Sequence, residues 1–248
     1  SNLSTEEYQI GMTNMMYEYP NDVDLLAFWA LSNLAVLKAF GPSDKECEIR
    51  NRTGMILKEA LVKNPKHVGL LHYLIHAYDH PLLSKQSLEE ADLYPKVAPD
   101  IPHALHMPSH TYQHLGYWSK SVTENVHSIS SVYPNTNYPG QLHSLGFLVN
   151  ALLQQGQVSK VWELVEHVQQ RHIEFGTLGV SEAFDMVSIP MKYALNSKNW
   201  TMAAQLDLLP KSANWNMHSW TSTYKYFSRM VGNYFLGQMD LVLMNHKF

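Results

Sequence analysis

Cysteine is almost absent from this chain: Cys47 stands alone among 248 residues. One thiol excludes an internal disulfide framework and any CxxC zinc site. With no activating motif around it, Cys47 reads as a small packing residue or an exposed bystander. Charge is scarce as well. Charged residues make up 16%, against roughly 25% in ordinary soluble domains. The net charge is −4, and Arg50, Arg52, Arg171 and Arg229 are the only arginines. No basic stripe can be drawn from them, which argues against nucleic acid as a partner. No apolar run approaches the roughly 20 residues that cross a bilayer, so no transmembrane segment is expected. Phosphate-binding glycine loops, dinucleotide fingerprints and the HExxH arrangement are missing too.

What is present is mostly helix. Asp24 to Phe40 carries Leu25, Phe28, Trp29, Leu31, Leu34, Ala35 and Leu37 on a broad apolar face and stops at Gly41-Pro42. Further helices are expected over Thr53–Lys63, Val68–Asp79, Leu88–Tyr94, Pro102–Leu115, Ser119–Val132, Gln141–Gln155, Val158–Gln170, Ser181–Asn196, Thr201–Leu208, Ser219–Leu236 and from Leu241 onward. No stretch alternates with a period of two between hairpin turns. The fold class is all-α. Pro134 to Gly140, with two prolines and a glycine, reads as a loop between stacked pairs.

A turn recurs from residue 115 onward. Leu115-Gly116-Tyr117-Trp118, Gln155-Gly156-Gln157-Val158, Ser197-Lys198-Asn199-Trp200 and Leu236-Gly237-Gln238-Met239 share one pattern, and their last residues stand 40, 42 and 39 positions apart. A period of that size signals stacked helix pairs, because one pair cannot cover its own apolar face. The expectation is a single α-solenoid of antiparallel helix pairs over 1–248. Its His-rich part spans about 65–145, with more ordinary repeats over about 146–248.

These residues carry a resemblance. The segments around Ala151–Gln157, Ala194–Ala203 and Tyr234–Gln238 look like degenerate tetratricopeptide (TPR) repeats. Gly69–Pro81 (GLLHYLIHAYDHP) and Ala98–His110 (APDIPHALHMPSH), continued through Gly116, Trp118, Ser121 and Asn125, resemble the signatures of one TPR-like family of several hundred residues. The stronger match covers about 60 residues, and the weaker repeat match extends over most of the chain. The resemblance implies a TPR superhelix with a His-rich centre and no particular reaction. It also implies an acidic residue three positions after His143, where this chain has Gly146. If that carboxylate helps to hold a metal, this chain has lost it.

Fourteen residues are His, and seven of them lie between His72 and His114. At about 100° per residue, His72, His76 and Asp79 fall within roughly 60° on one helix, and His103, His106, His110 and His114 within roughly 80° on the next. Pro102 suits a first helical turn. Pro108 removes a backbone bond and forces a kink, re-aiming His103 and His106 relative to His110. Two such stripes can converge on a divalent transition metal, since neutral imidazole with a carboxylate suits Zn, Cu, Ni or Fe. The candidate ligands are His72, His76, Asp79, His103, His106 and His110, with His143 auxiliary from a third helix. These are too many for one tetrahedral ion, so they imply two ions or an outer set that orients an inner one. The alternatives are internal packing, with imidazoles hydrogen-bonded between helices, and a ligand pocket without metal.

Catalysis has thinner support in this pattern: a third reading, a metal-dependent enzyme, needs a water-bearing open coordination position and a base within hydrogen-bond reach. Ser109 and His110 are adjacent and point apart on a helix, while Asp100 and Glu124 read as helix-entry and solvent-face residues. The leading expectation is a binding protein with a His-rich metal site on its concave face. The runner-up is a structural subunit that assembles end to end into a filament or other oligomer. Met12, Met15, Met16 and Tyr17 near one end, and Met244 to Phe248 at the other, make poor polar caps. Either way the partner is a protein or an identical subunit, docked through the ends or the concave face. The aromatic stretch Tyr224, Tyr226, Phe227, Tyr234 and Phe235 is expected to pack in the core. The chain starts at Ser1 without Met and shows no leader pattern, which fits a processed end or a piece of a longer chain. Sequons at Asn2, Asn51 and Asn199 leave cytoplasmic and extracellular settings both open.

Overall fold

The computed structural model describes residues 4–37, 43–131, 139–169 and 179–245, and every long element among them is a helix, with no strand. The chain divides into two compact units, Ser1–Glu124 and Asn125–Phe248. The first holds α1 (Thr5–Glu18), α2 (Val23–Val36), α3 (Asp44–Lys63), α4 (Val68–Ala77), α5 (Leu88–Val97), α6 (Pro102–His106) and α7 (Pro108–His114). The limit between the units falls within α8 (Trp118–Ser131). The second holds α9 (Pro139–Gln154), α10 (Val158–Gln169), α11 (Val180–Asn196), α12 (Trp200–Gln205), α13 (Thr221–Phe235) and α14 (Met239–Asn245). Among the described residues, no helix is long and apolar enough to cross a membrane.

Capping chemistry sets where the first helices begin. Ser4 and Glu7 form a reciprocal capping box on α1, Asp22 accepts from the Leu25 N–H on α2, and Ser43 accepts from the Glu46 N–H on α3. Two of these starts differ from the expected ones. α1 lies in a segment that carried no helix assignment, and α3 begins nine residues before Thr53. In both, polar residues such as Glu6, Glu7, Asp44, Lys45 and Glu46 hide the apolar period, while the caps mark the start. The expected stop at Gly41-Pro42 and residues 134–138 of the expected loop lie outside the described residues.

In the first unit α4 is central, packing against α2, α3 and α5. Its sequence divides cleanly between two faces. Leu70, Leu71, Leu74, Ile75 and Tyr78 are buried in the core, while His72 and His76 stand half-buried on the other side. The Tyr78 ring lies over Gly54, where any Cβ would collide with it, so α3 and α4 approach closely. The second stripe is broken as expected. Pro108 cannot donate to the carbonyl four residues back, and the chain divides there into α6 and α7 although Met107 keeps right-handed helical angles.

The recurring turn has one geometry at all four places. Gly116, Gly156, Lys198 and Gly237 have φ of 74°, 70°, 57° and 74°, the left-handed region. After each, the next N–H reaches back five residues: Tyr117 to Tyr112, Gln157 to Leu152, Asn199 to Ala194 and Gln238 to Asn233, at 2.8–2.9 Å. This left-handed cap satisfies carbonyls at the end of one helix and leads the chain into the next. Glycine is suited to it because it lacks Cβ; Lys198 is the exception.

In the second unit α9 packs on α10 and α11, and α11 and α12 pack on α13. Gly232 lets α13 sit against the α12 backbone at Trp200 and Ala204. Within the aromatic stretch Tyr224 packs against Val187, Leu206 and Leu208 as expected, but three of its residues depart from the core role. Phe227, Tyr234 and Phe235 are 46%, 59% and 56% exposed, because α13 turns its small residues Ser228 and Gly232 inward instead. Phe235 still stacks on Trp200, with ring centroids 4.1 Å apart.

Candidate metal centre

The two His stripes meet within the first unit. His72 projects from α4 and His103 from the first turn of α6, and their Nε2 atoms are 3.1 Å apart. His76, one turn beyond His72, completes a group in which one nitrogen of each ring lies within 4.8 Å of the others. The rings meet edge to face, His72 against His76 at 4.8 Å and against His103 at 5.0 Å between centroids.

A second set overlaps the first. Asp79 follows the end of α4 and receives two imidazoles from α7. His110 Nδ1 donates to Oδ2 at 2.9 Å, and His114 Nε2 donates to Oδ1 at 3.0 Å. An ionised carboxylate only accepts, so the neutral His110 ring carries its proton on Nδ1 and presents a lone pair at Nε2. That nitrogen is 3.2 Å from His106 Nε2. Carboxylate, then imidazole, then an outward Nε2 is the order by which proteins orient metal-binding histidines. His76, Asp79 and His110 also lie within 4.8 Å of one another through one ligand atom each, so His76 belongs to both sets.

Burial sets the protonation. It pushes the His72 ring down to about 4, helped by the nearby charges of His103 and His110. Burial likewise pushes His76 down to about 2, with His110 and His72 adding to the shift. Both rings are therefore neutral at pH 7, the form that binds metals. Burial alone would raise the Asp79 carboxyl. The hydrogen bonds from His110 and His114 outweigh it and hold Asp79 well below the usual carboxylate range.

His143 stands on α9 in the second unit, with its ring on Phe147 at 5.1 Å between centroids. Its Nδ1 is 3.6 Å from Oδ2 of Asp185, a residue of α11 that is only 2% exposed. A carboxylate thus stands beside His143, although position 146 itself is Gly. A Cβ on Gly146 would lie 2.5 Å from Asp185 Oδ1, so Asp185 fills the space a side chain there would need.

Several contributors were not singled out from the sequence. His114 lay on the second stripe but was not among the ligands, although its spacing of four from His110 was visible. Arg50 gave no signal. It donates Nε to Glu46 at 2.8 Å and Nη1 to the His76 carbonyl at 2.8 Å, tying α3 to the end of α4. Asp185 gave none either, because nothing in the spacing joins it to His143. His80 stays apart from the rings, its Nδ1 accepting from the Leu82 N–H in the turn after α4. Cys47 is half-buried and packs against the core of the first unit.

No protein family, curated protein or solved structure matches this chain.

Proposed function

We propose that this chain is a TPR-like binding protein whose first unit holds one divalent transition metal on His72, His76 and His103. The observation that carries the reading is the Nε2 pair of His72 and His103 at 3.1 Å, with His76 beside it. Two nitrogens bound to one tetrahedral zinc at 2.0–2.1 Å stand about 3.3 Å apart, so the pair already has the edge length of a coordination shell. Depressed basicity keeps His72 and His76 as lone-pair donors. Imidazole donors without thiolate favour Zn, Cu, Ni or Fe. His106, His110 and Asp79 then hold and orient the inner rings. The four left-handed turns at a spacing near forty residues support the repeat architecture.

The test is equilibrium dialysis of purified protein against zinc and nickel, followed by elemental analysis. The reading expects about one ion per chain, lost in His72→Ala and His103→Ala. Metal-free protein after dialysis overturns it.

A second reading, end-to-end assembly, is favoured by exposed apolar residues near both ends: Ile10, Met15 and Tyr17 on α1, and Met239, Leu241 and Leu243 on α14. Sedimentation across a concentration series tests it, and a monomer at every concentration removes it.

A further inference from the structure

The imidazole group faces a pocket, and we propose that this pocket takes an aliphatic monocarboxylate whose head meets the metal and Arg50. The inference rests on the metal reading above. The pocket measures about 640 Å³, within the range of small-molecule sites. Its lining mixes two chemistries: aliphatic Leu31, Leu34, Ala35 and Leu37 from the end of α2, and polar His72, His76, Asp79, His103, Glu46 and Arg50, with Tyr73 beside them.

Each part of the lining selects part of the ligand. Three neutral imidazoles leave a bound dication with its full charge, so the group that meets it is anionic. Arg50 adds a second anchor. Its Nε is fixed by Glu46 and its Nη1 by the His76 carbonyl, and among the described residues its Nη2 carries no hydrogen bond. A guanidinium held at two nitrogens presents the third in a fixed direction, which suits one oxygen of a carboxylate. Asp79 does not repel that head as an isolated anion would, because His110 and His114 both donate to it. The aliphatic side of α2 then requires an apolar body. It would leave a second anionic group unpaired, which selects against dicarboxylates and phosphate esters.

The experiment uses the full chain loaded with Co²⁺, whose visible spectrum reports both uptake of the ion and a change of its ligands. Acetate, butanoate, hexanoate and 1-hexanol are the probes. Hexanoate is expected to shift the spectrum saturably, and each added methylene tightens binding about three- to fourfold. Leu34→Gln keeps cobalt uptake and flattens the dependence on chain length. Arg50→Gln, compared at saturating cobalt, weakens every carboxylate about tenfold or more. Cobalt uptake without a response to hexanoate overturns the carboxylate proposal alone, as does a response to 1-hexanol equal to that of hexanoate. Equal affinity for acetate and hexanoate overturns it too. Failure to take up cobalt overturns the metal reading and this proposal together.

Discussion

His110 gives its Nδ1 proton to Asp79 at 2.9 Å and turns its other nitrogen to within 3.2 Å of His106. One carboxylate thus fixes which nitrogen of His110 is the donor, and it binds His114 at the same time. Asp79→Asn keeps the shape but removes the charge and can reverse the tautomer of His110. Orienting partners of this kind are worth roughly 10–100-fold in metal affinity. Asp79→Asn is expected to weaken binding by that amount, and His72→Ala by more. Competition against a coloured chelator measures both. Equal loss in the two variants would make Asp79 a direct ligand.

Acid stability of the metal-free protein follows from the same rings. The folded state holds His72 near 4 and His76 near 2, whereas an unfolded chain has them near 6.5. Between the folded and unfolded values the unfolded chain binds more protons, so stability rises with pH there. Their contribution is complete above about pH 6.5 and declines as the pH falls towards 4. At about 1.4 kcal/mol per pK unit, His72 alone accounts for up to about 3 kcal/mol by pH 4. Asp79, held below its usual range, adds a loss that begins only below about pH 4. Urea unfolding at pH 7, 6, 5 and 4 should show the midpoint falling throughout. His72→Gln should flatten that fall, and an unchanged slope would remove His72 as its cause.

The repeating turns provide an internal comparison. Gly116, Gly156 and Gly237 occupy the left-handed position without cost, while Lys198 holds φ of 57° with a Cβ in place. An L-residue there loses about 1–2 kcal/mol, of which glycine's greater freedom in the unfolded chain returns part. Lys198→Gly should therefore stabilise by about 0.5–1 kcal/mol, and Gly156→Ala should destabilise by about 1 kcal/mol. Thermal unfolding of the two variants checks the pair of signs. If Lys198→Gly destabilises, the Lys198 side chain contributes more than its backbone angle costs.

Where the sequence was readable, the reason is local physics. The faces of α4 follow from Leu70, Leu71, Leu74 and Ile75 alternating with His72 and His76, so helix and candidate ligands emerged together. The break at Pro108 follows from its missing N–H. The start of α3 was obscured because its first two turns are polar, and Ser43 as a cap is a weaker signal than an apolar period. Arg50 and Asp185 could not be found by spacing. Arg50 reaches a carbonyl 26 positions away, and Asp185 reaches His143 from another helix. Tertiary packing alone makes those meetings. That Phe227, Tyr234 and Phe235 face outward on α13 is not legible in the sequence, because hydrophobicity alone does not say which side of a helix its neighbours need to be thin, as they do at Gly232.

Gly146 and Asp185 should be energetically coupled. The Asp185 carboxylate is buried, its Oδ2 carries no hydrogen bond, and its Oδ1 occupies the space beside the Gly146 Cα. A Cβ 2.5 Å from that oxygen is too close for the two to coexist without movement, and Asp185 is too short and too enclosed to swing far. Gly146→Ala should thus cost about 1–3 kcal/mol, the usual penalty of overpacking. Asp185→Ala removes the obstructing oxygens and an unsatisfied buried acceptor, so it should cost less than truncating an ordinary buried partner. In the double variant the alanine at 146 enters the vacated space. Its cost should be at least about 1 kcal/mol below the sum of the single changes, a coupling within the range measured for touching residues. Urea unfolding of the four proteins closes the cycle. Additive costs would mean that Asp185 does not hold position 146 as glycine. A Gly146→Asp/Asp185→Ala exchange extends the argument: if the carboxylate beside His143 is what the site needs, moving it from α11 to α9 should recover more stability than alanine at both positions.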